Sequence, residues 1–352
     1  MSEQLKRDYE IGEEIGRGRF GVVHRCVSRA TGEPFAVKSV DRSLLADDLD
    51  RALAELEPKL ARLAGGEGDE NPGVVQVRAV YEDDAWTHTV MDLCTGPDLL
   101  DWVRLRRGAP VPEPDAVRVI AQLVEALAGC HRRGVVHRDV KPDNVLLDLD
   151  PSGEAPPRVR LADFGSAAWL GGEDSARGRA EGLVGTPHYV APEVVAGGEY
   201  GEKVDVWSAG VVMYALLSGG ALPFGGETPA DVFAAVLRGS LRFPPALFAG
   251  VSPAAKDLMR RMMCRDVSRR FSAEQRRWCG QPEEPQSIII VAMRCVVPDE
   301  FCADASVYPS SKYAAAAARS PRGGAGARVC VTVTWAVFLF CFLGLFLAAL
   351  FA

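Results

Sequence analysis

At 352 residues the chain is long for one domain and short for three, so its length favours two lobes or two domains. Its hydrophobic fraction of 48% and charged fraction of 25% are ordinary for a globular protein with a large core. The net charge of −7 argues against a nucleic-acid-binding surface. The nine cysteines form no Cys-x-x-Cys pair or metal-spaced cluster, which is typical of reduced thiols in a cytosol-like compartment.

The first predicted element is a strand at residues 9–16, and it runs into a glycine-rich stretch with Gly16, Gly18 and Gly21. Such a pattern by itself is a weak signal, because tight turns use glycine routinely. Here the apolar residues resume at once with Val22, so the loop joins two strands, whereas a dinucleotide-binding motif would need a helix. The pattern predicts a hairpin whose glycine backbone can close over a triphosphate.

Lys38 ends a short apolar strand at residues 35–38. Burying a lysine is unfavourable unless it is paired, and the alternative is a surface lysine whose ammonium reaches solvent. Residues 43–63 have leucines spaced by three and four, which predicts a helix. On this helix Glu57 is the expected partner of Lys38, and Glu55 is the rival because a proline directly follows Glu57.

Two more strands are predicted at residues 74–81 and 87–93, and a hinge follows at residues 95–97. Helical patterns dominate after the hinge. The predicted helices are residues 99–105, 114–132, 204–217, 229–238 and 252–264. The third of these is apolar enough to be a central buried helix, and Asp205 near its start could cap backbone amides.

Residues 137–144, HRDVKPDN, lie between the second and third of these helices. They bring a carboxylate (Asp139), a lysine (Lys141) and an amide (Asn144) within six positions. Phosphoryl transfer needs these three chemistries together, to orient an acceptor hydroxyl, meet the phosphoryl charge and hold a metal. The alternative is a polar loop after a helix.

Asp163 follows an apolar strand predicted at residues 159–162 and begins the tripeptide Asp-Phe-Gly. A carboxylate at a strand end with a glycine behind it suits a metal ligand beside a movable segment. That segment closes with Ala-Pro-Glu at residues 191–193.

Together, the glycine-rich loop, strand lysine, helix glutamate, HRD, DFG and APE resemble a eukaryotic-type protein kinase over residues 9–275. The resemblance implies an α+β bilobal fold, with a β-rich N-lobe at 9–94 and a helical C-lobe at 95–275, after an N-terminal extension at 1–8. It also implies ATP and Mg²⁺ as cofactors, a protein substrate phosphorylated on serine or threonine, and a monomer.

The resemblance assigns roles within the catalytic loop. Asp139 would orient the substrate hydroxyl and accept its proton, and Lys141 would neutralise the γ-phosphoryl group. Asn144 and Asp163 would be the magnesium ligands.

The resemblance also outlines a nucleotide site in which Lys38, fixed by Glu57, holds the α- and β-phosphates. Glycines would cover the phosphates, apolar side chains would surround adenine, the backbone at residues 92–94 would meet the adenine edge, and an acid would bind the ribose. The remaining members of this site are Gly16, Gly18, Gly21, Val23, Ala36, Met91, Asp92, Cys94, Asp98 and Leu146. Glu193 and Arg270 resemble the ion pair that anchors the segment end.

Arg138, beside the expected base, normally seeks a phosphate on the mobile segment. The usual acceptor position, four residues before Thr186, is Gly182, which cannot be phosphorylated. Glu181 or Asp174 could supply the counter-charge instead. We therefore expect activity without phosphorylation of this segment, controlled by the abundance of the protein.

Longer runs resemble plant phosphoenolpyruvate carboxylase kinase, a branch of the calcium-dependent kinase group without EF-hands. They include GEEIGRGRFG at residues 12–21, VGTPHYVAPEV at 184–194 and EKVDVWSAGV at 202–211. The sequence contains no EF-hand loop pattern either. The resemblance implies phosphorylation of an N-terminal serine of phosphoenolpyruvate carboxylase without calcium or calmodulin. Asp143 would suit a basic residue upstream of that serine.

The resemblance stops after Gln275. Residues 276–328 are rich in Pro, Ser, Ala and Gly and predict a linker. Residues 329–352 carry no charge and, at ~1.5 Å per residue, are long enough for a membrane-spanning helix. Basic residues precede them, which is typical of a cytosolic N-terminal side.

The N-terminus has no apolar stretch typical of a secretory signal, and Ser2 stands where N-myristoylation needs glycine. We expect a cytoplasmic kinase domain, anchored by residues 329–352 unless this tail is the product of a retained intron or shifted frame. The alternative function is a membrane-tethered, poorly active binding protein whose fold is compromised by the altered C-terminus.

Overall fold

The computed structural model describes residues 2–18, 21–45, 48–149, 157–171 and 179–273. They form a small lobe built on a five-stranded sheet and a larger, mostly helical lobe. The expected α+β bilobal fold is therefore confirmed.

The small lobe is an antiparallel sheet with one long helix. Its elements are α1 (Glu3–Asp8), β1 (Tyr9–Arg17), β2 (Gly21–Ser28), β3 (Pro34–Asp41), α2 (Asp48–Gly65), β4 (Val77–Glu82) and β5 (Trp86–Asp92). The strand order is β1-β2-β3-β5-β4, and all neighbours are antiparallel. The predicted helix begins later than expected, because Arg42–Leu44 forms a separate 3-10 turn before it.

The core of the small lobe includes a side chain from residues 1–8, which were predicted from the sequence to be an N-terminal extension. Leu5 of α1 is fully buried in one cluster with Cys26, Val37 and Val90. Residues 2–8 therefore pack as part of the lobe, and burial of Leu5 contributes roughly 1.5–3 kcal/mol.

The large lobe contains seven helices and four short strands among the described residues. They are α3 (Leu99–Leu105), α4 (Glu113–Arg132), β6 (Val135–Val136), β7 (Val145–Asp148), β8 (Arg158–Leu161), β9 (Ala168–Trp169), α5 (Pro192–Val195), α6 (Lys203–Ser218), α7 (Pro229–Arg238), α8 (Pro245–Phe248) and α9 (Pro253–Met262). β6 pairs with β9 and β7 pairs with β8, each antiparallel. These two ribbons flank the HRD and DFG motifs.

The central element of the large lobe is α6, as its composition predicts. Every residue of this helix after Lys203 is buried, and the helix packs against α4, α8 and α9. It ends at Gly219, which has a φ of +76° and whose added Cβ would lie 2.2 Å from the carbonyl oxygen of Gly108. The helix is therefore the buried element around which the rest of the large lobe packs.

Among the described residues, no helix is both long and apolar enough to cross a membrane. The predicted linker at 276–328 and the predicted anchor at 329–352 lie outside the described residues.

Candidate active site

Lys38 on β3 lies between two carboxylates that come from different parts of the fold. Its Nζ is 2.5 Å from Oε1 of Glu57 on α2 and 3.0 Å from Oδ1 of Asp163, which follows β8. The rival Glu55 faces the other way and pairs with Arg42 at 3.5 Å on the exposed side of α2. The helix continues through the proline after Glu57, so the expected partner is the one that reaches Lys38.

The three charges of this cluster shift one another's pKa values. Burial by itself would lower the pKa of Lys38, but attraction to Glu57 and Asp163 outweighs it and raises that pKa. The Lys38 charge holds the pKa of Asp163 well below its usual range. Burial raises the pKa of Glu57, against the opposing effect of Lys38. Asp163 therefore stays ionised, as a cation ligand must.

Asp139 is oriented by three donors. Its Oδ2 accepts from Lys141 Nζ at 2.7 Å and from Asn144 Nδ2 at 3.3 Å, while its Oδ1 accepts from the Thr186 hydroxyl at 2.8 Å. Thr186 Oγ1 also lies 3.2 Å from Lys141 Nζ. Thr186 is not among the site residues predicted from the sequence, in which its only signal is the Gly-Thr-Pro ahead of the APE motif.

Asp205 anchors the loop that carries Asp139. Its Oδ1 accepts from the backbone N–H of Arg138 at 2.8 Å, and its Oδ2 accepts from that of His137 at 2.9 Å. His131 Nε2 lies 2.8 Å from the same Oδ2. Asp205 does bind backbone amides, but those of the catalytic loop rather than of its own helix, because its fully buried side chain points across the lobe. The residue before α6, Glu202, makes no side-chain cap.

The DFG motif packs against the catalytic loop. The Phe164 ring is 3% exposed and lies 4.8 Å from the His137 ring, edge to face. His137 Nε2 contacts the carbonyl oxygen of Ala162 at 3.0 Å. Asp163 and Arg138 both have positive φ values, +63° and +67°. Non-glycine residues seldom adopt this conformation, and its strain concentrates at functional sites.

The glycine-rich loop is the expected hairpin between β1 and β2. Gly16 is opposite Val23, and Gly18 N donates to Gly21 O at 2.9 Å. A Cβ on Gly21 would lie 2.6 Å from the carbonyl oxygen of Ser39, so only glycine fits there. Val23 and Ala36, the expected adenine contacts, lie in adjacent strands β2 and β3.

The expected hinge residues begin at the end of β5. Met91 is opposite Ala36 at the end of β5. The carboxylate of Asp92 is occupied by Arg78, with Nε–Oδ1 at 2.6 Å, and its backbone N–H donates to the carbonyl oxygen of Gln76 at 3.0 Å. The half-buried Cys94 follows.

On the other side of the hinge, Asp98 forms an isolated bridge with Leu146 and caps α3, accepting from Asp101 N at 2.7 Å. Burial raises the pKa of Asp98. The predicted nucleotide residues of the hinge and of β7 are therefore adjacent.

The Glu193–Arg270 pair forms as expected. The guanidinium makes two bonds to the carboxylate, at 2.5 and 2.8 Å, and it lies 5.1 Å from the centroid of the Trp207 ring. Arg270 is 1% exposed, so this bidentate pair ties the APE segment to the base of the large lobe.

The donor set fits a magnesium–nucleotide complex. Asn144 donates its amide N–H to the carbonyl oxygen of Asp139 at 2.9 Å, which leaves Oδ1 as the atom to face a cation. Asp163 supplies an ionised carboxylate, and Lys38 supplies a charge for phosphate oxygens. Hard cations of this kind prefer oxygen ligands.

This fold and site define the class of the chain. The family model described as "Protein kinase domain" matches residues 9–277, and the chain therefore belongs to the protein kinase family, whose members use ATP and Mg²⁺.

Within the family, the chain is similar to calcium-dependent protein kinases. It is 36% identical over 274 residues to Calcium-dependent protein kinase 19 of Arabidopsis thaliana, covering 78% of this chain and 47% of that protein. It is 38% identical over 273 residues to Calcium-dependent protein kinase 24 of Oryza sativa subsp. japonica, covering 77% and 50%. The chain thus spans about half the length of these curated relatives. The matches support a serine/threonine kinase of that group.

Proposed function

We propose that this chain is a catalytically active serine/threonine protein kinase. The observation that carries the proposal is the arrangement of Lys38 between Glu57 and Asp163, beside an Asp139 already oriented by Lys141. These elements come from both lobes, and assembling them is what kinase activity requires.

In this proposal Asp139 orients the substrate hydroxyl and accepts its proton, and Thr186 holds the carboxylate in that orientation. Lys141 meets the charge on the transferred group. Asn144 and Asp163 would hold the metal. When bound, magnesium-ATP supplies the phosphoryl group and neutralises its developing charge.

The proposed nucleotide contacts are the ones expected from the sequence. Lys38, held by Glu57, binds phosphate oxygens, and the glycine-rich loop covers them. The remaining contacts are Val23, Ala36, Met91, the backbone of residues 92–94, Asp98 and Leu146. The kinase domain is assigned to residues 9–275.

The proposed substrate is phosphoenolpyruvate carboxylase, phosphorylated on an N-terminal serine without calcium. This finer assignment is supported by the sequence resemblance alone. A basic residue upstream of that serine is proposed from the negative charge of Asp143 next to the catalytic residues. Burial is the main reason that the pKa values of Asp98 and Tyr189 are raised, and the Asp143 charge adds to both.

The proposed location is the cytosol, with residues 329–352 as a membrane anchor, on the basis of sequence. In the test, the full chain and a version with residues 276–352 replaced by a kinase-type last helix are incubated with magnesium-ATP and phosphoenolpyruvate carboxylase, with and without a calcium chelator. We expect serine phosphorylation by both versions in either condition, and none by Asp139→Ala.

Activity confined to the repaired version would favour the poorly active binding protein. Equal inactivity of the wild-type chain, the repaired version and Asp139→Ala, towards this and other serine substrates, would refute the kinase proposal. Chelator-sensitive activity would refute calcium independence alone.

A further inference from the structure

The guanidinium of Arg138 is occupied by neutral oxygens. Its Nε donates to the carbonyl oxygen of Ser166 at 2.5 Å, and its Nη2 donates to that of Ala167 at 3.2 Å. Its Nη1 faces the Tyr200 hydroxyl at 3.3 Å and the backbone carbonyl oxygen of Glu181 at 3.5 Å. Glu181 was expected to offer its carboxylate to Arg138, but it contributes its backbone carbonyl oxygen instead. The other candidate for the counter-charge, Asp174, lies outside the described residues.

The Tyr200 hydroxyl joins Arg138 to the segment that precedes the APE motif. Tyr200 is 3% exposed, and its hydroxyl donates to the carbonyl oxygen of Gly182 at 2.9 Å, with that of Glu181 at 3.2 Å. Its backbone makes two hydrogen bonds with Ala180, at 2.8 and 2.9 Å. One side chain therefore contacts the segment twice and the catalytic loop once.

The segment continues from this contact directly to the expected base. Gly185 packs so closely on the loop that an added Cβ would lie 2.6 Å from the Arg138 carbonyl oxygen. The next residue, Thr186, donates to Asp139. Only three residues separate Gly182, which Tyr200 binds, from Thr186, which orients Asp139.

We propose that Tyr200 is a positioning residue that performs the task of an activation-segment phosphate. Its hydroxyl bridges Arg138 and the carbonyl oxygens of residues 181–182, and so holds the protein-substrate side of the site in place. The proposal rests on the proposed kinase function, and it explains how a chain with glycine at position 182 keeps its segment docked. Tyr200 acts on the side of the site that would bind the protein substrate, and not on the Lys38 cluster.

The test is Tyr200→Phe in the full chain, which removes only the hydroxyl. The matched control is Tyr214→Phe, because Tyr214 is also 3% exposed and its hydroxyl donates to a carbonyl, that of Arg242, at 3.0 Å. With a serine peptide and ATP varied separately, we expect kcat/KM for the peptide to fall about tenfold in Tyr200→Phe, as loss of a hydrogen bond to a charged group does. The KM for ATP should stay the same, and the control should match the wild type in both.

A second measurement does not depend on activity. Amide hydrogen exchange of residues 179–186 should accelerate in Tyr200→Phe and remain unchanged in Tyr214→Phe. Unchanged peptide kinetics together with unchanged exchange in Tyr200→Phe would overturn the inference, as would a loss of peptide turnover produced by Glu181→Gln but not by Tyr200→Phe. If the wild-type chain is inactive, the kinase proposal fails, and the exchange result alone decides whether Tyr200 holds the segment.

Discussion

Lys38, which is half-buried, and Asp205, which is fully buried, are charged residues at the centres of two clusters, and different interactions hold these clusters together. Lys38 is bound by two carboxylates from elements of both lobes. Asp205 is bound by two backbone N–H groups and a histidine, all within the large lobe. The first cluster depends on separate elements approaching each other, and the second lies inside one packed unit.

This difference assigns distinct properties to the two halves of the site. The ion pairs of Lys38 join β3, α2 and the DFG motif, so a shift of any one of these elements breaks at least one ion pair. The nucleotide-binding half of the site therefore depends on the relative positions of the three elements. Hydrogen bonds from a buried carboxylate to loop backbone leave little freedom, so the catalytic loop keeps its shape. Substitutions at Asp205, Lys38 and Glu57 should therefore have different effects on stability and on activity.

The largest expected effect is on stability, from Asp205→Ala. The substitution leaves two buried N–H groups and His131 without their acceptor, and we expect the free energy of unfolding to fall by about 3–5 kcal/mol. Urea denaturation measures it. Asp257→Ala is the control, since Asp257 pairs with Arg261 on the surface and should change stability by less than about 1 kcal/mol. A loss of similar size in both variants would contradict the anchoring role of Asp205.

Lys38→Met should affect activity more than folding. It removes the charge that binds phosphate oxygens and leaves Glu57 and Asp163 facing each other, so we expect kcat to fall about 10²–10³-fold. Steady-state kinetics with saturating peptide measure it, and Lys59→Met, at an exposed lysine on α2, is the control. Retention of wild-type turnover by Lys38→Met would show that the cluster is structural only.

His88 tests a buried polar group that belongs to neither cluster. Its Nε2 accepts from Ser2 N at 3.0 Å, so its Nδ1 carries the proton and donates to the Ser39 hydroxyl at 2.7 Å. Burial lowers the pKa of His88 from 6.5 to about 4.

Because the unfolded chain binds a proton at His88 more readily than the folded one, the stability that neutral His88 contributes is complete above about pH 6.5. It is lost as the pH falls toward 4, by about 3 kcal/mol in total. Denaturation curves across this range should therefore show a shallower pH dependence in His88→Gln than in the wild type. Identical slopes would refute the prediction.

The smallest expected effect comes from comparing two glutamates of α2, Glu57 and Glu55. Glu57→Gln should lower kcat about tenfold, because it weakens a charged hydrogen bond that orients Lys38. Glu55→Gln changes only an exposed pair with Arg42 and should alter stability by less than about 0.5 kcal/mol, with activity unchanged. Equal activity loss in the two variants would mean that α2 tolerates no change of charge on either face.

Much of the architecture could be predicted from local patterns. The bounds of α3 and α7 agree with the predicted helices, since apolar spacing and capping residues mark their ends. The start of α2 was placed too early, because the 3-10 turn at Arg42–Leu44 shares the leucine spacing of the helix. The role of α1 in the core was missed, because one buried leucine in a short polar segment carries no periodic signal.

The amino-acid sequence alone determined the order of the chemical groups: a glycine hairpin, a strand lysine, and acids in the HRD and DFG motifs. These depend on residue type and short-range spacing, which the sequence states directly. Only the tertiary structure decided which groups meet, since Asp205 binds the catalytic loop across 67 residues and Tyr200 reaches Arg138 across 62. Such contacts depend on how packed elements cross, because folding brings together side chains whose separation along the chain carries no local pattern.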